Sequence, residues 1–111
     1  MKGRNIYLFF LILFTFNLSS EHLVIDVRTL DEWNQGHLSS AIRIEWQEIT
    51  LRINELTLDK DQEIMLYCQS GNRSGKALKL LNKIGFLNVI NAGGLLEAQE
   101  LIGDKIVINN N

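Results

Sequence analysis

Cys68 is the single cysteine in a chain of 111 residues. It opens the polar stretch Gln69-Ser70-Gly71-Asn72-Arg73-Ser74, set between an apolar run and a segment of helical period. The run from Glu63 to Tyr67 reads as a buried strand, while Ala77, Leu80, Leu81 and Ile84 recur at helical spacing. A loop turning from strand into helix around a cysteine aims backbone N–H groups and the positive end of the helix at the sulfur. Both favour the thiolate, which is the nucleophilic form. A free thiol with a pKa of about 8.5 is only slightly ionised at neutral pH, and loops of this kind lower it to roughly 3.5 to 7.5. A fall of about two units needs about 2.7 kcal/mol of preferential stabilisation of the anion. Charge-assisted N–H bonds and a guanidinium at Arg73 are suited to supply it. Gly71 provides the positive φ that a tight anion cradle requires. Ser74 reads as the N-cap of the following helix, Gly85 as its stop, and Lys76, Lys79 and Lys83 as its solvated face. A lone cysteine is ordinarily a small buried hydrophobe. The loop, the arginine and the helix start in one register turn the reading to a reactive thiol.

Strand and helix signals alternate along the chain, which predicts an α/β fold with a mainly parallel sheet. Strands are expected near 23–27, 41–44, 63–67 and 88–90, and helices near 30–35, 46–56, 74–84 and 94–101. Thr29-Leu30-Asp31-Glu32 has the form of a capping box, so Thr29 and Glu32 read as helix-start residues. Trp46, Ile49, Ile53 and Leu56 form one apolar stripe, a core face. Active sites of such sheets lie at the carboxyl ends of the strands. Cys68 falls there, and so do Asp26 and Arg28, for which a structural ion pair is expected over a direct chemical role.

The loop from Cys68 to Ser74 resembles the active-site loop of the rhodanese family of sulfurtransferases. Leu23-Val24-Ile25-Asp26-Val27-Arg28 is similar to that family's first strand with its Asp-x-Arg ending. Glu32-Trp33-Asn34-Gln35-Gly36-His37 through Ala41 and Ile44 resembles its aromatic and Gly-His signature, and Asn91-Ala92-Gly93-Gly94-Leu95 its late Gly-Gly turn. Ser39-Ser40 stands where a Pro-Gly pair is common in the family, and Gln99 lies where its last helix often carries a tryptophan.

The resemblance implies a central, mainly parallel sheet of four to five strands with helices on both faces, in single-domain form. It implies a sulfur transfer in which Cys68 takes sulfane sulfur from thiosulfate or a similar small anionic donor as a persulfide. A thiol, cyanide or a protein acceptor then removes it. Gln69, Ser70, Gly71, Asn72 and Arg73 would bind the donor, with Asp26, Arg28 and Ser74 in support and no cofactor required. The family's Gly-His element is chiefly structural, so His37 is not read as the partner of a Cys-His pair. Two other classes stay open. A persulfide carrier needs the same Cys68. A cysteine phosphatase or arsenate reductase would separate cysteine and arginine by one residue more than the four present here.

Composition narrows the partners. Net charge is −2, and without the two cations Lys2 and Arg4 it would be −4, so nothing global marks a nucleic-acid binder. One cysteine excludes an intrachain disulfide and a Cys-x-x-Cys pair, and two separated histidines offer no metal-ligand spacing. Residues 1–20 differ in character: Lys2 and Arg4, an apolar run from Ile6 to Phe16, then Asn17-Leu18-Ser19-Ser20. They read as a signal peptide, the run being shorter than the roughly 20 residues that span a bilayer. The domain from 21 to 111 is then expected in the periplasm or outside the cell. An uncleaved segment tethering it to the membrane is the alternative.

Overall fold

The computed structural model describes residues 22–108, so the expected export segment lies outside the described residues. The sheet is built from β1 (Leu23–Asp26), β3 (Ile42–Arg43), β4 (Ile64–Cys68) and β5 (Val89–Gly94), in the order β3-β1-β4-β5 and parallel throughout. Helix α1 (Leu30–Asn34) follows β1, α3 (Asn72–Lys83) follows β4, and α4 (Leu95–Ile102) follows β5. A small antiparallel pair, β2 (His37–Leu38) with β6 (Ile106–Val107), completes the described elements.

Strand alternation divides the core in two. Ile25, Val27, Ile64, Leu66 and Cys68 point to one side, where Ile49, Ile53, Ala77, Leu81 and Phe86 cover them. Val24 and Tyr67 point to the other, against Leu38, Ala92 and Ala98. Helices therefore flank both faces. Each large side chain so enclosed contributes roughly 1.5–3 kcal/mol. The expected stripe from Trp46 to Leu56 does pack on the first face. It is not one helix, however: 3-10 turns at Trp46–Glu48 and Ile53–Glu55 bracket a single turn of α2 (Ile49–Arg52).

Two further elements depart from expectation. β5 runs on to Gly94 instead of stopping near residue 90, because a register shift against β4 between Leu66 and Cys68 keeps pairing alive as far as Cys68 with Gly94. The β2–β6 pair was invisible in sequence, since two-residue strands carry no measurable period. Its anchor is Asp104, whose carboxylate accepts from Ser39 Oγ at 2.5 Å, Ser40 N at 2.7 Å and Ser40 Oγ at 2.6 Å. The two serine hydroxyls hold its acid at a pKa of about 2. Ser39-Ser40 is thus a fastening for the segment after α4.

At the end of β1, Asp26 and Arg28 are both buried and bind each other. Asp26 Oδ1 accepts from the Arg28 amide and Nε, each at 2.9 Å, and Oδ2 from Nη2 at 2.7 Å. Nη2 also reaches the Gly36 carbonyl at 2.7 Å, joining β1 to the loop before β2. Cutting a buried pair strands the surviving charge, a loss of about 3–5 kcal/mol. Asp26→Ala and Arg28→Ala are each expected to lower stability by about that much in urea unfolding, and a loss under about 1 kcal/mol would contradict this assignment.

Candidate active site

β4 delivers Cys68 to the carboxyl edge of the sheet, with its side chain wholly buried in the first core. Burial by itself would push the thiol up. Hydrogen bonds reverse this: the Ser74 hydroxyl, then the backbone amides of Ser74, Ser70 and Gly71, bring it down to about 7. The Gly71 amide stands 3.0 Å from Sγ and the Ser74 hydroxyl 3.4 Å. The thiol is thereby brought into the range where it ionises near neutral pH.

The loop folds this way because Gly71, not Ser74, caps the helix. Its φ of +96° is a left-handed conformation that glycine takes without strain, and α3 starts at Asn72. Ser74 consequently sits inside the first turn. Its side chain turns back to the sulfur instead of capping.

Ser74 has a second partner, for its hydroxyl donates to Asn91 Oδ1 at 2.7 Å. A hydroxyl has one proton. With a neutral thiol, the Cys68 S–H donates to Ser74 Oγ and the Ser74 proton stays on Asn91. Once sulfur is ionised, that proton is the one that must turn to it. Asn91 Oδ1 keeps the Gly93 amide at 3.0 Å, and its Nδ2 holds the Gly71 carbonyl at 2.9 Å. Asn91 thus fastens the loop at two points. No local pattern in the sequence marks Asn91 for this task, because its role depends on β5 lying next to β4.

Gly94 is the other close approach. It pairs with Cys68 across the sheet, and a Cβ there would lie 2.5 Å from the Gln69 carbonyl oxygen. No side chain fits between the end of β5 and the loop.

Arg73 is placed differently from the sequence expectation of a guanidinium given over to sulfur. It makes a bidentate pair with Glu32, Nη1 to Oε1 at 2.8 Å and Nη2 to Oε2 at 2.9 Å. That hydrogen-bonded arginine leads the causes holding the Glu32 acid at about 2. Glu32 also completes the capping box with Thr29, so one carboxylate starts α1 and holds the loop arginine. The hydrogen-bonded Glu32 carboxylate, and to a lesser extent the charge on Cys68, raise the Arg73 guanidinium above its ordinary value. Gln69, Ser70 and Asn72 are exposed along the loop. Asp26 and Arg28 bond to each other, and Arg28 to the Gly36 carbonyl, and so shape the neighbouring strand end. His37 stacks on Trp33 with ring centroids 3.4 Å apart and its Nδ1 donates to the Leu38 carbonyl at 2.9 Å, a packing role. Among the described residues, no group of three or more His, Cys, Asp or Glu side chains is placed to hold a metal ion.

A family model described as the rhodanese-like domain matches residues 16–100. The thiosulfate sulfurtransferase PspE of Escherichia coli is 39% identical over 77 residues, which cover 69% of this chain and 73% of that protein. A sulfurtransferase of Allochromatium vinosum is 35% identical over 85 residues, 77% of this chain and 78% of the relative. Among solved structures, a rhodanese with anions from Escherichia coli superposes with a TM-score of 0.73 at 34% identity, covering 80% of this chain and 100% of that one.

The thiolate absorbance of the single cysteine is expected to rise with pH around a midpoint of about 7. Ser74→Ala should move that midpoint towards the ordinary cysteine value of about 8.5. An ultraviolet pH titration of both proteins checks this, and coincident curves would contradict the role given to the hydroxyl.

Proposed function

The chain belongs to the rhodanese-like domain family, and on that premise we propose that it is a sulfurtransferase working through a Cys68 persulfide, with thiosulfate or a similar anion as donor. The observation that carries this reading is a buried sulfur at a strand end, ringed by the Gly71, Ser70 and Ser74 donors and held at a pKa of about 7. Such a sulfur is both substantially ionised and shielded from competing water.

In the first step the thiolate attacks the outer sulfur of thiosulfate. The S–S bond of the donor breaks, sulfite leaves with the electron pair, and the transferred sulfur remains on Cys68. The amides that faced the thiolate then face the persulfide, stabilising charge as it moves outwards by one atom. Gln69, Ser70, Gly71, Asn72 and Arg73 surround the donor, and the Ser74 hydroxyl donates a hydrogen bond to the sulfur anion. In the second step a thiol, cyanide or a protein acceptor attacks the outer sulfur and Cys68 leaves as thiolate.

A loop with four residues between cysteine and arginine makes a smaller ring than the phosphatase pattern, which disfavours a tetrahedral oxyanion. A carrier would form the same persulfide but discharge it rapidly to one protein only. For location we propose export to the periplasm or beyond, on the pattern of residues 1–20; an intact Met1 on N-terminal sequencing of the cellular protein would indicate a tether instead.

In a thiosulfate and cyanide assay, Cys68→Ser is expected to abolish turnover, and retained transfer would refute the reading. Arg73→Ala leaves Glu32 facing the loop without its cation. It should lower kcat/KM for thiosulfate about three- to tenfold, mainly through KM, and an unchanged profile would remove Arg73 from donor binding.

A further inference from the structure

One cleft opens beside the loop, with a volume of about 390 Å³, lined by Gln69, Gly94, Leu95, Leu96 and Glu97. Gln69 directly follows Cys68, and Gly94 is the residue paired with Cys68 across the sheet. The cleft is therefore lined by the two residues that flank the nucleophile in the chain and across the sheet, while the Cys68 sulfur lies buried behind them. Its wall is partly apolar, with Leu96 71% exposed. Among the described residues that line it, Glu97 is the ionisable one. That carboxylate accepts from the Gly94 amide at 2.8 Å, and none of the ion pairs among the described residues includes it. The start of α4 is thus occupied by its own side chain and offers no place for an anion. The nearest loop cation does not redress the balance, because Arg73 is already held by Glu32.

From this arrangement we propose that the cleft is the subsite for the organic body of the sulfur acceptor, and that it takes a small aminothiol, its amine at Glu97 and its carbon chain against Leu95 and Leu96. The inference rests on the persulfide reading above. The acceptor thiolate attacks the outer sulfur of the Cys68 persulfide and forms a new S–S bond. The bond from that sulfur to Cys68 Sγ breaks, and its electron pair returns to Sγ as thiolate. The proton of a protonated persulfide stays with the transferred sulfur. No oxidant or reductant enters.

The test separates this half-reaction from loading. Full-length protein is persulfidated with thiosulfate, excess donor is removed, and discharge is timed by intact mass with cysteamine, mercaptoethanol or mercaptoacetate, each rate divided by the acceptor's own thiolate fraction. The expected order is cysteamine first and mercaptoacetate last. The spread should narrow in high salt, as for any exposed charge contact. Glu97→Gln keeps an oxygen for the Gly94 amide and removes the charge. It should cut the ratio of the cysteamine rate to the mercaptoacetate rate at least threefold, while mercaptoethanol is unchanged. Equal slowing of all acceptors by Glu97→Gln, or a ratio untouched by it, overturns the subsite. Failure to load any sulfur overturns the sulfurtransferase reading and this inference with it.

Discussion

A sulfur withdrawn from water becomes an anion near neutral pH only where hydrogen bonds outweigh the loss of solvation. Cys68 meets that condition, its burial opposed by the Ser74 hydroxyl and three backbone amides. Much of the local architecture follows from this requirement. The amides converge because Gly71 adopts a left-handed turn. The hydroxyl is available because α3 begins at Asn72, two residues ahead of Ser74. Asn91 and the Gly75 amide both hold the Gly71 carbonyl, which fixes the start of the helix next to the sulfur.

The remaining structure makes that small geometry rigid. Parallel pairing of β1, β4 and β5 brings Asp26, Cys68 and Gly94 to one edge. The Asp26–Arg28 pair ties that edge to Gly36, and Glu32 ties α1 to Arg73. Both carboxylates act through arginines whose charge they satisfy, so the positive charge near the sulfur is moderated. The sulfur depends chiefly on fixed dipoles, which need no rearrangement as charge moves from Cys68 to an outer sulfur.

The sequence made the strand before Cys68, the helix after it and the parallel α/β class legible, because five-residue apolar runs and a helical period extend over enough residues to stand out. The loop was legible for the same reason: Gly71, Arg73 and Ser74 lie within six positions of Cys68. What escaped was non-local. Asn91 acquires its task only when β5 sits beside β4, and Glu32 reaches Arg73 across 41 positions. Ser39-Ser40 departs from the family's common Pro-Gly turn, and its explanation, Asp104, is more than 60 residues away. Pairings at such separations leave no local pattern to read.

The most direct test of the account is intact-mass spectrometry of the purified protein before and after thiosulfate, with Cys68→Ser treated in parallel. The account predicts a gain of one sulfur atom on the protein with Cys68, reversed by cyanide or a thiol, and none on the variant. An unchanged mass, or an equal gain on Cys68→Ser, would contradict it.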